Sequence, residues 1–241
     1  MPALLTPARR RGFEVLDTDV EPELRLRSHR DIALANALFG GVSAVRAEVE
    51  PVLREQEQAG VREITLLDVG TGTGDIPARL IPVATRLGVR LRIVGIDDEL
   101  ELLTAPARAP MHPIVANALA LPLATRSVDV VICSQVLHHF AHDDACCVLR
   151  ELDRVATRRV VIADLRRSWV AVAALWSISF PLRFHPVSRH DGIVSILRGF
   201  TRTELRALVA DAVGVEARVR YRPGFRITAG WTPGSATERA R

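Results

Sequence analysis

Between residues 64 and 163 short apolar runs alternate with amphipathic stretches. The runs Ile64 to Val69, Leu91 to Ile96, Ile114 to Ala116, Val128 to Cys133 and Arg159 to Ala163 are predicted strands. They are short, bounded by turn residues and mostly without a polar face, as strands covered on both sides should be. Between them, Thr73 to Leu87, Asp98 to Ala107 and Asp143 to Ala156 carry apolar residues at helical spacing. Pro77 falls in the first turn of the first of these helices, where proline is tolerated, and Gly88 closes it. Repeated βα units predict an α/β fold with a doubly wound, mostly parallel sheet.

The flanks break this rhythm. Met1 to Arg11 shows no pattern and is expected to be loose. Leu24 to Phe39 is a predicted helix with Ile32, Leu34, Ala35 and Leu38 as its apolar positions and Ser28 as N-cap. Gly40-Gly41 stops it, and Val42 to Gln58 is a second helix with an internal Pro51. Residues 1–60 thus form an N-terminal helical extension, to cover a ligand or to pack on the sheet. After the fifth strand, residues 166–200 contain Trp169, Trp176, Phe180 and Phe184 but no strand pattern, and are expected to form a helical cap over the ligand crevice. Aromatic side chains there suggest an apolar, aromatic acceptor site, or plain core between cap and sheet. Thr201 to Ala212 is a helix with a capping signal at Thr201 or Thr203 ahead of Glu204. Val215 to Tyr221 and Phe225 to Ala229 form a last antiparallel pair around Arg222-Pro223-Gly224, and 231–241 is expected to be a disordered tail.

The densest chemical signal is ITLLDVGTGTGDIPARL, from Ile64 to Leu80. A strand leads through Gly70-Thr71-Gly72-Thr73-Gly74 into a helix, which opens a nucleotide-binding unit. Asp68 decides between ligands. A carboxylate two residues before the first glycine suits a cation and opposes the pyrophosphate that dinucleotide sites hold at such a turn. S-adenosylmethionine carries an ammonium and a sulfonium and no phosphate. Capping of the turn is the structural alternative for Asp68. Asp97, at the end of the second strand in GIDD, can accept both hydroxyls of an adenosine ribose, and Asp98 either joins it or caps the next helix. Asn117-Ala118 follows the third strand, where a side-chain amide can pair with an adenine edge or simply form a turn. Ser134-Gln135 follows the fourth strand at the crevice.

Composition narrows the partners. The 241 residues carry 32 basic and 28 acidic side chains, every basic one an arginine, which inflates the sequence pI. The charges are mixed along the chain with no basic block interleaved with aromatics, so no nucleic-acid partner is expected. Cys133, Cys146 and Cys147 form no CxxC pattern with the histidines, so no metal is expected, and they fit a reducing, cytoplasmic location. The N-terminus lacks the apolar core of a signal peptide. Trp169 to Leu182, broken by Pro181, falls short of the about 20 apolar residues a bilayer span requires, so no stable membrane insertion is expected. A homodimer is left open.

LDVGTGTGD, GIDD, ANALALPLATRSVDVV and CSQVLHHF, in this order and spacing, resemble a class I S-adenosylmethionine-dependent methyltransferase, closest to the small-molecule group of ubiquinone/menaquinone methyltransferases. The resemblance spans about residues 60–165. It implies a Rossmann-like seven-stranded sheet with the last strand antiparallel. S-adenosyl-L-methionine would be the cofactor and a small molecule the acceptor. By resemblance Gly70, Gly72 and Gly74 approach the methionine part, Asp97 the ribose and Asn117-Ala118 the adenine. The family more often has aspartate where Asn117 stands. SHRDIALANALFGG and RHDGIVSILRGFT also resemble a bacterial subgroup linked to secondary metabolism.

Methyl transfer to a hydroxyl needs an aligned nucleophile and a group to take its proton. His138 and His139, in LHHF after the fourth strand, are the first candidates for a base, and His190 in the cap is the other. Asp164 ends the fifth strand and also points to the crevice; pairing with Arg166 or Arg167 is the structural alternative for it. Transfer to oxygen of an aromatic or polyketide-like acceptor is the leading expectation. Carbon methylation of a quinone precursor, an NAD-dependent oxidoreductase and a protein that binds the cofactor without turnover are the alternatives.

Overall fold

Strand β1 (Glu63–Val69) lies near the middle of a seven-stranded sheet of order β3-β2-β1-β4-β5-β7-β6. The other strands are β2 (Arg90–Asp97), β3 (His112–Val115), β4 (Val128–Ser134), β5 (Ala156–Leu165), β6 (Arg218–Arg222) and β7 (Arg226–Trp231). The computed structural model describes residues 5–10, 12–106 and 109–234. β1 pairs in parallel with β2 and β4, β2 with β3, and β4 with β5, while β7 runs antiparallel to both β5 and β6. The sheet is therefore the mostly parallel, seven-stranded one that the resemblance implies. The order reverses between β1 and β4, which opens a crevice at their carboxyl ends.

Alternation along β1 splits the core in two. Leu67 and Val69 face α5 (His142–Val155) and α8 (Arg202–Val213), while Ile64 and Leu66 face α2 (Gly41–Gln58) and α3 (Asp75–Arg86). All four side chains are at most 1 % exposed, so burial on both faces suppresses the polar alternation of a one-faced strand. Thr201 and Glu204 close a full capping box at the start of α8.

Several boundaries shift for physical reasons. Helix α1 (Pro22–Leu38) begins at a proline, so Ser28 lies inside it rather than at its N-cap. Its apolar positions were expected inside, yet Leu34 and Leu38 are exposed, and Arg25, Ser28, Asp31 and Asn36 are buried instead. This helix turns Arg25, Asp31 and Asn36, with Ile32 and Ala35, to the wall of a cavity. The helix expected from Asp98 shortens to α4 (Leu100–Thr104), with Glu99 at its N-cap position, so Asp98 does not cap it. Trp231 is not part of a loose tail. It ends β7 buried, its indole N–H donating to Asp153 Oδ1 at 2.9 Å. The expected N-terminal looseness also fails for 7–10, since the Pro7 carbonyl accepts from Arg167 Nε and the Arg10 N–H donates to the Leu197 carbonyl. Residues 1–4, 11, 107–108 and 235–241, which carried parts of those expectations, lie outside the described residues.

The segment after β5 folds as a helical hairpin, α6 (Trp169–Ser179) and α7 (Pro186–Arg198), with Ser168 and His185 as their side-chain N-caps. A short 3₁₀ turn, Val15–Asp17, docks on α7 because both Asp191 carboxylate oxygens accept backbone N–H groups, of Val15 and Leu16, at 2.9 Å. The N-terminal helices divide their work: α2 packs on the sheet, and α1 lines the crevice.

Candidate functional site

A cavity of about 590 Å³ opens at the carboxyl ends of β1, β2 and β4, between α1 and the α6–α7 hairpin. Its floor is the glycine turn. The N–H groups of Gly70 and Thr71 donate to the Ile96 carbonyl, and that of Gly72 donates to Asp97 Oδ2 at 2.8 Å. Gly70 and Gly72 adopt positive φ (71° and 54°), and a Cβ on Gly70 would lie 2.1 Å from Val136 Cγ2. The turn thus needs glycine first for its own backbone and packing. Gly74 sits behind the cavity wall, beneath Met111, as the residue before α3.

Carboxylates dominate this floor. Asp68 Oδ2 accepts the Thr71 hydroxyl at 2.9 Å, while Asp68 Oδ1 is buried without a hydrogen-bond partner. Burial raises the Asp68 pKa to about 7 against the Thr71 hydrogen bond, and the charges of Asp75 and Asp97 add to the rise. Asp97 accepts the N–H of Gly72 on one oxygen and that of Glu99 on the other, and burial still lifts its pKa to about 6. Each Asp97 oxygen keeps a lone pair for a hydroxyl donor. Arg25 also lines the wall, but it is spent on Glu99 at 2.8 Å and on the carbonyls of Leu16 and Thr18. An acidic floor whose arginine is paired repels a pyrophosphate and suits the ammonium and sulfonium of S-adenosylmethionine. Beside it Ile96, Leu102, Ala118 and Leu119 offer apolar surface for an adenine. The residues present fit that cofactor.

The structure redistributes the other predicted residues. Asn117 lines the cavity, but its Oδ1 accepts the Leu119 N–H at 2.8 Å and so shapes the turn. Asp98 is exposed at the rim. Ser134 lines the wall with its Oγ buried and unpartnered. Gln135, at φ 58°, spends its amide within the protein: its nitrogen donates to Asn36 Oδ1 and its oxygen accepts from Arg226. Asn36 in turn donates to Asp75 Oδ2, and Arg226 to the Phe39 carbonyl. This chain ties α1, β4, α3 and β7 together beneath the cavity. Sequence reasoning missed His29 and Arg25. Arg25, His29, Ile32 and Asn36 recur at helical spacing as one stripe of α1 on the wall, a signal that a search for apolar stripes overlooks. Burial lowers the His29 pKa to about 4, aided by the Arg25 charge, so the ring beside Gly72 is neutral.

The three candidate histidines separate. His138 is buried, with Nδ1 2.7 Å from Asp164 Oδ1, its backbone N–H on Asp164 Oδ2, and Nε2 buried and unpartnered. Asp164 therefore pairs with His138, not with Arg166 or Arg167; Arg167 turns instead to Glu204 and the Gly199 carbonyl. Burial pushes the Asp164 carboxyl up, but the His138 charge and hydrogen bond and the Leu165 N–H outweigh it and hold it below the usual range. Asp164 Oδ1 holds the His138 ring through Nδ1, and Nε2 on the other side of the ring is buried without a hydrogen-bond partner. His139 is exposed at the rim, with Nδ1 2.9 Å from Asp17 Oδ1. His190 lies outside the cavity wall, which corrects its candidacy: the phase of α7 turns Ser188, Asp191, Gly192 and Ser195 inward, and the His190 ring faces solvent against Asp191. The cap aromatics divide likewise. Phe184 lines the cavity, but Trp169, Trp176 and Phe180 are 40 %, 57 % and 50 % exposed, and Ala171, Ala174, Leu175 and Ile178 form the wall in their place.

Glu14, His138 and His139 bring one ligand-type atom each within 4.8 Å of one another, a spacing a metal ion could use. A fixed cation already serves the acids there, since Arg198 Nη1 lies 2.9 Å from Glu14 Oε1 and 2.8 Å from Asp17 Oδ2. Burial raises the Glu14 pKa despite the His139 and Arg198 charges.

Among the described residues, seven buried side-chain polar atoms lack a partner, and four of them belong to residues that line this cavity, Asp68, Ser134, His138 and Ser188. Such groups are costly unless something polar meets them.

Residues 67–163 match the family described as "Methyltransferase domain". An uncharacterized methyltransferase of Schizosaccharomyces pombe is 32% identical over 150 residues, 59% of this chain and 56% of that protein. A malonyl-[acyl-carrier protein] O-methyltransferase of Methylococcus capsulatus is 30% identical over 148 residues, 56% of this chain and 52% of that one. The chain thus spans about half the length of the curated relatives it matches. Among solved structures, a SAM-dependent methyltransferase from Aquifex aeolicus superposes with a TM-score of 0.55 at 19% identity, covering 88% of this chain and 98% of that one. That similarity bears on the fold.

Proposed function

We propose, from the class I S-adenosylmethionine-dependent methyltransferase domain that this chain carries, that it transfers a methyl group to an oxygen of a small, largely apolar acceptor held beneath the α6–α7 hairpin. One observation carries the reading: His138 lines the same cavity as the glycine turn, with Asp164 fixed on its Nδ1 and its Nε2 buried without a protein partner.

When bound, the sulfonium supplies an electrophilic methyl group. Asp68 would hold its positively charged methionine end, Asp97 its ribose hydroxyls, and Ala118 with Leu119 its adenine. On the acceptor side, His138 would take the hydroxyl proton while the methyl carbon exchanges its bond to sulfur for one to the acceptor oxygen, with S-adenosylhomocysteine as the leaving group. Asp164 would orient the ring and stabilise the imidazolium; a placed base contributes roughly 10²–10⁴-fold. Ala171, Ala174, Leu175, Ile178 and Phe184 present apolar surface and exclude water above it. His139, exposed and tied to Asp17, is a poorer base, and His190 is not one. The Methylococcus relative is named for O-methyl transfer, which supports oxygen over carbon.

Incubation with trideuteromethyl-labelled S-adenosylmethionine and a panel of phenols, enols and carboxylic acids, read by mass spectrometry, tests this. A labelled O-methyl product is expected, with turnover lowered at least 100-fold in His138→Ala and Asp164→Asn while S-adenosylhomocysteine binds each variant within about twofold of wild type. A C-methyl product would replace the oxygen reading with methylation of a carbon nucleophile. Full turnover in His138→Ala would remove the base.

A further inference from the structure

Helix α6 has the sequence WVAVAALWSIS, apolar all the way round. Such a helix is normally buried on every side. Here the inner face forms the cavity wall through Ala171, Ala174 and Leu175, while Trp169, Val170, Trp176 and Phe180 stand on the outside, each at least 40 % exposed. Trp176 and Phe180 pack edge to face, with ring centroids 5.1 Å apart, and Trp169 stands about two turns earlier on the same helix. The border of this outer face is cationic. The Arg189 guanidinium lies 4.4 Å above the Phe180 ring, and that of Arg10 lies 5.7 Å from the Trp169 ring. Neither has a carboxylate partner among the described residues, and no acidic residue occurs between Asp164 and Asp191.

We propose that this outer face of α6 docks on an anionic lipid surface. An exposed aromatic patch rimmed by polar groups marks an interaction site. Tryptophan with flanking arginine is the combination that settles at a bilayer interface, rings at headgroup depth and guanidinium groups on lipid phosphates. A second copy is a poor occupant. A two-fold contact would set the arginine rim against itself with no acid in the stretch to answer it. No single helix among the described residues is long and apolar enough to cross a membrane, and the contact proposed for α6 is a peripheral one. Because the same helix walls the cavity, docking places the acceptor site one helix away from the lipid and favours an acceptor with an apolar tail. That last step rests on the methyltransferase reading; lipid binding itself does not.

The test is co-sedimentation of the full chain with vesicles of mixed phosphatidylglycerol and phosphatidylcholine, beside vesicles of phosphatidylcholine alone. The wild type should sediment with the anionic vesicles, much less with the neutral ones, and be released by salt. Trp169→Ser/Trp176→Ser and Arg10→Ser/Arg189→Ser should each bind at least tenfold more weakly. These exposed substitutions should leave the thermal midpoint and S-adenosylhomocysteine affinity unchanged, so folding and the cofactor site are read separately. A wild type that stays in solution with anionic vesicles at low salt would overturn the proposal. So would a double-tryptophan variant that binds as the wild type does, or a dimer in solution that this variant breaks apart.

Discussion

Asp68 and Asp97 hold raised pKa values, near 7 and 6, because each is buried before any cation or hydroxyl donor reaches it. Both values lie above those of an unfolded chain. In the ligand-free protein their contribution to stability is therefore complete below about pH 4 and is lost as pH rises through 6 and 7. Cofactor binding runs the other way. A ligand bearing an ammonium and a sulfonium prefers the ionised carboxylate, so below pH 7 binding must first release a proton. S-adenosylhomocysteine, which keeps the ammonium, should bind roughly tenfold more weakly at pH 6 than at pH 8. Asp68→Asn should flatten that slope and weaken binding at pH 8. Calorimetry at three pH values decides it, and a flat wild-type profile would mean that Asp68 does not meet the charged end. These residues were legible because their meaning is local: a carboxylate beside a glycine turn and another at a strand end lie within a few residues of the feature that defines them. His29 and Glu14 were not, because only packing brings α1 and the N-terminal turn to this crevice. The partners of Gln135 were hidden for the same reason, since Asn36 and Arg226 are 99 and 91 residues away.

At the scale of elements, the cover over the cavity is held by a few charged anchors. Arg198, in the last turn of α7, reaches Glu14, Asp17 and the Gly12 carbonyl, and so pins the N-terminal segment across the hairpin. Removing one partner from a buried pair strands the other. Arg198→Ala should cost about 3 kcal/mol in denaturant unfolding, with an unchanged slope. A loss below about 1 kcal/mol would show that apolar contacts hold the segment without the arginine. The strands were readable since burial on both faces writes an apolar run into the sequence. The orientation of α1 and α6 was not. α1 turns its polar stripe inward toward the cavity, against the rule that apolar positions mark the buried face. α6 is apolar on every side, so its sequence carries no phase and gives no sign that Trp176 points out while Leu175 points in.

For the whole molecule, the sheet supplies one crevice at its order reversal, and N-terminal and cap segments close over it from two sides. Asp68 and Asp97 line that crevice beside the glycine turn, His138 lines it with Asp164 behind its ring, and under the proposed function the apolar hairpin would roof the acceptor. All of this depends on the crevice holding S-adenosylmethionine and not a dinucleotide, the distinction that Asp68 makes; a ribose-binding carboxylate such as Asp97 suits either. The decisive measurement is a calorimetric titration of the purified chain, wild type and Asp97→Asn, with S-adenosylhomocysteine and with NAD. The wild type should bind S-adenosylhomocysteine and not NAD. Asp97→Asn should lose roughly 10- to 100-fold in affinity, since each hydrogen bond to a charged acceptor contributes about 1.5–3 kcal/mol. Binding of NAD alone, or equal S-adenosylhomocysteine affinity in both proteins, would contradict the account at its base.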